Sequence, residues 1–159
     1  AVRLQDCDSF PYAPPVHSMH RHPALRLGWC LIGAASAIAL ALYLVGPPHA
    51  PFVLASLGGS CVFLFGLTRA PAAQPRALLG GHLIGALCGI AATQWLGTSL
   101  TAYALAVSTA LALMLLTRTV HPPAGANPVL MVGAHAGWPA LLNPVLAGVA
   151  VLLGVGDFG

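Results

Sequence analysis

Long apolar runs, separated by short stretches rich in Pro, Gly and Arg, cover the chain from about residue 27 onward. A helix needs about 20 apolar residues to cross a bilayer, with a range near 17 to 25. Some runs reach this length, whereas others are shorter or are interrupted by helix breakers. In chain order the six runs cover 27–46, 51–68, 77–97, 100–117, 122–136 and 139–156.

The lengths of the runs predict how each one meets the membrane. The runs 27–46, 77–97 and 100–117 are predicted spanning helices, and 51–68 and 139–156 are borderline. The run 122–136 is too short for a simple spanning helix, so we expect a re-entrant or partly unwound element. The predicted fold class is an all-α polytopic membrane protein with four to six transmembrane or re-entrant helices.

Composition supports a membrane location. Of the 159 residues, 58% are hydrophobic and only 6% are charged, and the mean hydropathy is +0.86. A soluble domain carries about 25% charged residues, so soluble classes are excluded and no nucleic-acid partner is expected. Residues 1–25 are predicted to be a polar juxtamembrane tail, and 26–159 a single transmembrane domain. His17, His20 and His22 in the tail could bind a metal, but we predict no metal site and no cofactor.

The positions of the acidic residues narrow the function further. The three acids are Asp6, Asp8 and Asp157, so residues 9–156 contain no carboxylate. Cation pumps and proton-coupled carriers commonly use intramembrane Asp or Glu to hold the ion or relay the proton. A mechanism built on carboxylates therefore lacks its usual groups.

The arginines predict the orientation of the protein. If the second run crosses, Arg69, Arg76 and Arg118 lie on the same side as the N-terminal region, whereas the loops 46–50 and 96–101 contain no Lys or Arg. Cytoplasmic loops carry the excess of Lys and Arg. We therefore expect the N-terminus in the cytoplasm, with the protein in a bacterial inner membrane.

A weak internal repeat is visible at an offset of 75 residues. SAIALALYLVGPP (36–48) aligns with LALMLLTRTVHPP (111–123), and LASLGG (54–59) aligns with VLMVGA (129–134). An odd number of crossings in each half inverts the second half, so the pattern allows a 3+3 inverted repeat. Many transporters are built in this way, with the substrate site near the midplane.

A helix break at residues 121–127 is a candidate anion site. The pair Pro122 and Pro123 removes two backbone donors and disfavours helical geometry at His121. A helix restarting at residue 124 or 125 would present free N–H groups to an anion. His121 and Asn127 add side-chain donors, and Gly125 permits close approach of a small ligand to the backbone. The alternative is that the prolines simply end a span at the membrane boundary.

Three further features are candidates for function. Gly58, Gly59 and Ser60 interrupt the second run. His82 is the one histidine or charged residue well inside the third run, which makes it a functional candidate by default. A structural role for His82, bonded to a backbone carbonyl, is an equal alternative. Arg76 and Arg118 are predicted to steer anions. Glycines at every fourth position of the third run predict a small-residue packing face, free to pack on a second copy.

The motifs ASLGGSCVFLF, AQPRALLGGH and TRTVHPPAGANPVL, in this order and spacing, resemble the HPP family of integral membrane proteins. The resemblance covers most of residues 27–156, and HPPAGA (121–126) is its most specific element. It implies a polytopic membrane protein, and family members in plastids and cyanobacteria are associated with nitrite transport. The family is usually described with four spans, fewer than the five or six predicted here. Asn127 departs from the small or hydroxyl residue expected after HPPAGA.

These observations predict a transporter or channel for a small inorganic anion, with nitrite as the leading candidate and no enzymatic activity. We expect a homo-oligomer, a dimer or trimer, surrounded by lipid, because so few spans seldom enclose a pathway. One alternative is an intramembrane serine hydrolase in which Ser60 meets His82 or His135. Another is a structural membrane subunit with no pathway.

Overall fold

The computed structural model describes residues 23–45 and 55–156, and every regular element in these ranges is helical. The prediction of an all-α membrane protein is confirmed. The polar tail up to residue 22 and the first Pro-Pro break at 46–49 lie outside the described residues. The helices are α1 (Pro23–Val45), α2 (Ala55–Cys61), α3 (Pro75–Leu96), α4 (Leu100–Thr117), α5 (Asn127–Gly133) and α6 (Ala147–Gly156).

Three helices in the described part are long and apolar enough to cross a membrane: α3, α4 and the Leu27–Val45 stretch of α1. These are the three runs predicted to span. A π-helical turn extends α2 to Gly66, and Leu141–Leu146 leads into α6 through a kink at Asn143, whose φ of −134° and ψ of 116° are not helical. The resulting apolar helices, Ala55–Gly66 and Leu141–Gly156, are shorter, as expected for the borderline runs.

Side-chain and backbone caps fix both ends of α4. At its start the Ser99 hydroxyl accepts the N–H of Ala102 at 3.2 Å. At its end Arg118 adopts a left-handed conformation with φ 56°. The guanidinium of Arg76, in the first turn of α3, donates to the carbonyls of Thr117 at 2.9 Å and Arg118 at 3.1 Å. The start of α3 and the end of α4 therefore lie together, at what we call the Arg76 end of the molecule.

The glycine face of α3, formed by Gly81, Gly85 and Gly89, is filled by the chain itself. A Cβ added to Gly85 would lie 2.6 Å from the carbonyl oxygen of Ala124, and one on Gly89 would lie 2.6 Å from the Cβ of Met131. The small-residue packing face is thus present, but its partner is residues 119–131 of the same chain. It is not free to pack against a second copy, which removes one reason for predicting an oligomer.

The fifth run follows α3 along most of its length. Thr119 lies against Gly80, near the start of α3, and the Met131 carbonyl accepts the hydroxyl of Thr93, near its end, at 3.4 Å. These levels are about 20 Å apart along a helix that rises 1.5 Å per residue. The chain passes from one end of α3 to the other, a course that favours a crossing segment over a re-entrant one. The expectation of partial unwinding is correct, since residues 122–126 form a 3-10 turn.

The remaining segments alternate in direction. The thiol of Cys30 in α1 donates to the carbonyl of Phe65 at 2.8 Å, and a Cβ on Gly156 of α6 would lie 3.4 Å from Leu64. The start of α1, the end of α2 and the end of α6 therefore meet at the Arg76 end. α1 packs on α6 as α4 packs on α3. Each of the three described segments of the first half runs opposite to its counterpart in the second half, which is the arrangement expected of a 3+3 inverted repeat.

The two shortest helices, α2 and α5, meet halfway through the molecule. The described part of α2 opens with Ser56 in its first turn, and α5 begins at Asn127; their side chains are joined by a hydrogen bond of 2.6 Å. The Cβ of Asn127 lies 3.1 Å from a Cβ built on Gly85. Gly85 is about 15 Å from the start of α3, close to its midpoint. From this level α2 runs to the Arg76 end and α5 to the opposite end.

Single-cysteine labelling tests whether the fifth run crosses. In a background without native cysteines, Ala70→Cys should react with an impermeant maleimide from one side only, and Thr98→Cys and Gly137→Cys from the other. Residues 70 and 98 lie beyond opposite ends of α3, and residue 137 follows the far end of α5. Labelling of Gly137→Cys from the same side as Ala70→Cys would mean that residues 118–136 turn back within the membrane.

Candidate functional site

A cluster of polar side chains is buried among the apolar helices. Unpaired polar groups cost several kcal/mol in hydrocarbon, so intramembrane polar residues are expected to be paired and functional. Five of the six buried polar side chains in the described part of the chain belong to one hydrogen-bonded cluster. The six are Ser56, Ser60, His82, Thr119, His121 and Asn127, each at most 7% exposed.

Ser60 lies at the centre of this cluster. Its Oγ is 2.9 Å from Nε2 of His82 and 2.8 Å from Nε2 of His121. It is also 3.0 Å from the carbonyl oxygen of Ser56, one helical turn earlier. A serine hydroxyl has one proton to donate and two lone pairs to accept. Ser60 can therefore bond to both imidazoles, and the tautomers of the two histidines decide the direction of each bond.

Backbone carbonyls fix these tautomers, because a carbonyl oxygen can only accept. Nδ1 of His121 lies 2.6 Å from the carbonyl of Ala72, so it carries a proton and donates. In a neutral imidazole Nε2 is then the acceptor, and the Ser60 hydroxyl donates to it.

Asn127 fixes the other histidine in the same way. Its amide nitrogen lies 3.2 Å from the carbonyl oxygen of His82 and 2.9 Å from Nδ1 of the same residue. The carbonyl requires a donor at this position, which also makes Nδ1 of His82 an acceptor. The proton of a neutral His82 is therefore on Nε2, and it is donated to Ser60.

The cluster is a single chain of hydrogen bonds with one direction. Ser56 donates to Asn127, which donates to His82, which donates to Ser60, and the chain continues through His121 to the carbonyl of Ala72. Among the described residues no buried side-chain nitrogen or oxygen lacks a partner. Neutral imidazoles thus satisfy every group in the cluster.

Local sequence explains why these side chains converge. The four-residue spacing of Ser56 and Ser60 places both on one face of α2. His82 adjoins the glycine face of α3, where residues 119–131 approach closely. Before the prolines His121 is extended, with φ −129° and ψ 102°. Its Cβ would lie 2.8 Å from a Cβ on Gly81, so only glycine permits this approach.

Ring contacts complete the packing around His121. Its centroid lies 5.4 Å from that of Phe63 in an edge-to-face arrangement and 5.3 Å from that of His82. No group of three or more His, Cys, Asp or Glu side chains within residues 23–45 and 55–156 is placed to hold a metal ion. The chemistry available in the cluster is hydrogen bonding and proton transfer.

The structure brings together four residues that the sequence singled out: Ser60, His82, His121 and Asn127. Gly59 lies beside them, because a Cβ there would be 3.0 Å from the Cβ of Pro123. The candidates Gly58, Pro122 and Gly125 are exposed. Gly58 lines an apolar groove between α1 and α2 rather than the cluster.

The backbone at the break differs from the expected helix restart. A 3-10 turn covers Pro122–Ala126, and α5 begins at Asn127 rather than at residue 124 or 125. The N–H of Ala124 donates to the carbonyl of His121 at 3.0 Å, so it is not free for a ligand. The polar side chains of the cluster, rather than free backbone amides, are therefore the candidate ligand groups at this level, and in this structure they bond to one another.

The two predicted steering arginines have different environments. Arg118 is exposed at the end of α4, where it can interact with solutes or headgroups. Arg76 is also exposed, but its guanidinium caps the last carbonyls of α4. His135, one of the two histidines considered as a base for Ser60, is exposed and lies outside the cluster. Ser60 meets His82 and His121 instead.

Sequence reasoning missed two groups in the cluster. Ser56 donates to Asn127, and the carbonyl of Ala72 accepts from His121. Ser56 could have been found, because it lies four residues before Ser60 on the same helical face. The backbone carbonyl of Ala72 leaves no signal in the sequence.

Comparisons with known proteins find similarity to transmembrane proteins. The family model described as HPP, transmembrane region, matches residues 19–158. Two similar proteins of Dictyostelium discoideum are both described as transmembrane proteins. One is 30% identical over 153 residues, covering 88% of this chain and 52% of the relative; the other is 36% identical over 110 residues, covering 64% and 35%. The chain thus spans about half the length or less of these relatives. No solved structure matches.

Removing Ser56 tests whether the cluster stabilises the fold. Ser56→Ala leaves the buried Oδ1 of Asn127 without its donor, at a cost of about 1–3 kcal/mol. The matched variant Ser36→Ala removes a hydroxyl from the exposed side of α1, where it donates only to the carbonyl of Gly33, and should change stability little. Thermal unfolding in detergent measures both. Equal midpoints for the two variants would contradict the hydrogen-bonded role of Ser56.

Proposed function

The chain belongs to the HPP family of integral membrane proteins, and on that premise we propose that it carries a small inorganic anion across the membrane. Nitrite is the leading candidate, as the association of the family with nitrite transport implies. The proposal includes the absence of an enzymatic activity. It also includes a bacterial inner membrane as the location, and the Arg76 end is assigned to the cytoplasm because the arginines lie at that end.

The observation that carries this proposal is the buried cluster of Ser60, His82, His121 and Asn127 at the level where α2 and α5 meet. Transporters with inverted repeats place their substrate sites near the midplane, where discontinuous helices leave polar groups inside the membrane. A purely structural bundle has no need of two buried histidines, because apolar residues would fill the same volume without any polar group to satisfy.

The chemistry of the cluster favours an anion over a cation. Asp6, Asp8 and Asp157 are the only acids of the sequence, and all three lie outside the described residues. The imidazole, hydroxyl and amide groups of the cluster bond to one another in this structure, and they are of the kind that can donate hydrogen bonds to the oxygen atoms of an anion. Nitrite is a small monovalent anion with two oxygen acceptors, which matches donors of this kind.

The assembly proposed is a homo-oligomer, a dimer or trimer. α1 and α4 bury only 22% of their membrane-spanning windows within the chain, so both present broad surfaces to lipid or to another copy. Three full-length helices and three shorter segments offer little protein to enclose a pathway. The argument rests on these surfaces and on the number of passes, since the glycine face of α3 is occupied.

Gly125→Val tests whether the exposed face of the break lines the pathway. A Cβ at Gly125 has no described atom within 4 Å, so the variant should fold. We expect nitrite flux into liposomes to fall to the level of protein-free vesicles, because a branched side chain narrows the approach to the cluster. Wild type should carry nitrite in a panel with nitrate, formate and chloride.

The stability of the variant is the control for this test. Gly125→Val should retain the melting temperature of wild type, whereas Gly85→Ala should lower it, because its Cβ meets the Ala124 carbonyl at 2.6 Å. Normal nitrite flux in a folded Gly125→Val would exclude residues 121–126 from the pathway. Absence of flux for all four anions in wild type would favour a structural subunit instead.

One contact favours a second candidate, an intramembrane serine hydrolase. Ser60 donates to Nε2 of His121, whose Nδ1–H is held by the carbonyl of Ala72. Nucleophile, base and a group that orients the base are thus in hydrogen-bond reach. Against it, Ser60 and His121 are each 0% exposed, and the hydroxyl of Ser60 has no described opening to a substrate.

A fluorophosphonate probe separates the two candidates. We expect no labelling of the purified protein in liposomes, because Ser60 is buried and bonded to two imidazoles. The variant Ser60→Ala controls for reaction at other hydroxyl groups. Labelling of wild type that disappears in Ser60→Ala would establish a reactive serine and support the hydrolase.

A further inference from the structure

The cluster around Ser60 contains one hydrogen-bond acceptor more than its neutral state needs. It could therefore take up one additional proton and still leave every donor paired. In the neutral state the Ser60 hydroxyl donates to Nε2 of His121 at 2.8 Å. The same oxygen lies 3.0 Å from the carbonyl of Ser56, which is a second acceptor for the same hydroxyl proton. The hydroxyl can therefore turn from one acceptor to the other without losing a hydrogen bond.

A proton added at Nε2 of His121 uses this second acceptor. The imidazolium then donates from Nδ1 to the carbonyl of Ala72 and from Nε2 to the oxygen of Ser60. Ser60 accepts from both histidines with its two lone pairs and donates to the carbonyl of Ser56. Every donor still has an acceptor. No heavy atom needs to move, and the proton that enters is the only atom gained.

His82 cannot take the proton in the same way. Its free position, Nδ1, faces the amide nitrogen of Asn127 at 2.9 Å, so an added proton would meet another donor. Rotating the amide of Asn127 would place its oxygen against the carbonyl oxygen of His82 at 3.2 Å. Asn127 thus keeps His82 neutral. The geometry therefore leaves His121 as the histidine that can take up the proton.

No fixed negative charge in the described residues offsets a protonated His121. Around it α2 contributes Ser60 and Phe63, and α3 contributes the neutral His82. Among the ionisable groups on these elements, Cys61 packs in an apolar cluster with α1, and Cys88 packs towards α4. Among the side chains that the structure describes at this end, the exposed cations are Arg69, Arg76 and Arg118.

An unpaired charge in the interior of a membrane protein is costly. A protonated His121 therefore needs an anion as its partner, and an anion in this cluster needs a positive charge that the neutral imidazoles lack. Resting on the proposed function, we propose that His121 binds one proton together with the transported anion, so that the protein is an electroneutral proton–anion symporter. The proton comes from water on one side and returns to water on the other with the anion.

Liposomes containing the full chain and a pH-sensitive dye test this proposal with nitrite as the probe. Nitrite uptake should acidify the lumen by one proton per anion, after subtraction of the leak of nitrous acid into protein-free vesicles. The initial rate should be the same at membrane potentials of either sign set with potassium and valinomycin, because no net charge crosses.

Variants connect the proton to His121. His121→Gln should lose nitrite-dependent acidification to the level of protein-free vesicles, because an amide does not bind a proton. His135→Gln is the matched control, since His135 is exposed and outside the cluster, and it should keep the coupling. Nitrogen-15 spectra of histidine-labelled wild type in nanodiscs give an independent measurement, in which His121 should gain its second proton only when nitrite is added.

The outcomes separate this proposal from the transport function. Nitrite uptake that follows the membrane potential and leaves the luminal pH unchanged would overturn proton coupling while leaving an anion transporter. A neutral His121 in the nitrite-bound spectra, or coupling retained by His121→Gln, would also overturn it. Absence of flux for nitrite, nitrate, formate and chloride would overturn the transport function, and the symport proposal with it.

Discussion

The close approach of residues 119–131 to the glycine face of α3 is the contact on which the rest of the site depends. Three glycines, one per helical turn, remove the side chains that would otherwise hold the two segments apart. The 3-10 turn and α5 can then lie directly on the backbone of α3. This contact sets the position of His121 and Asn127 relative to His82, because all three lie along the line of contact between α3 and residues 119–131, which we call the glycine seam. Helix association in membranes depends on such packing, since lipid supplies no hydrophobic driving force between helices.

The absence of water in the bilayer core constrains the polar groups within this seam. A chain of hydrogen bonds from Ser56 to the carbonyl of Ala72 satisfies each of them in turn, and backbone carbonyls at His82 and Ala72 determine the direction of every bond. A polar network of this kind is stabilising only when all of its members are paired. The arrangement therefore specifies one register between α2, α3 and the HPP segment at residues 121–126, since a shift of one residue would leave several groups without partners.

Much of the architecture could be predicted from the sequence. Run lengths identify the three full-length helices, and the Gly spacing identifies the packing face of α3. The prediction for the run 122–136 rests on length alone, so it includes the partial unwinding but not the course of the segment from one end of α3 to the other. An extended or 3-10 backbone rises more per residue than an α-helix, so a short segment can cover most of the thickness of the bilayer. Such a backbone is tolerated at this depth because α3 shields it from lipid.

For the site, residue chemistry identified Ser60, His82, His121 and Asn127 but not their connections. Intramembrane His and Asn residues are rare enough to be conspicuous in an apolar sequence. Which imidazoles contact Ser60 depends on tertiary packing. The sequence suggested His82 or His135 as the partner, and in the structure the partners are His82 and His121. Ala72 contributes only its backbone carbonyl, which every residue has, so the identity of this residue could not predict the contact with His121.

The glycine seam also bears on how the protein enters the membrane during synthesis. Residues 118–133 contain two adjacent prolines, a histidine and an asparagine, and so few apolar side chains that the segment would partition poorly into lipid alone. α3 and α4 precede it in the chain and are hydrophobic enough to insert first. Their pairing leaves a groove at the glycines whose walls can receive the segment's polar groups. Because α3 and α4 come before residues 118–133 in the chain, the surface that receives this segment is synthesised before the segment itself.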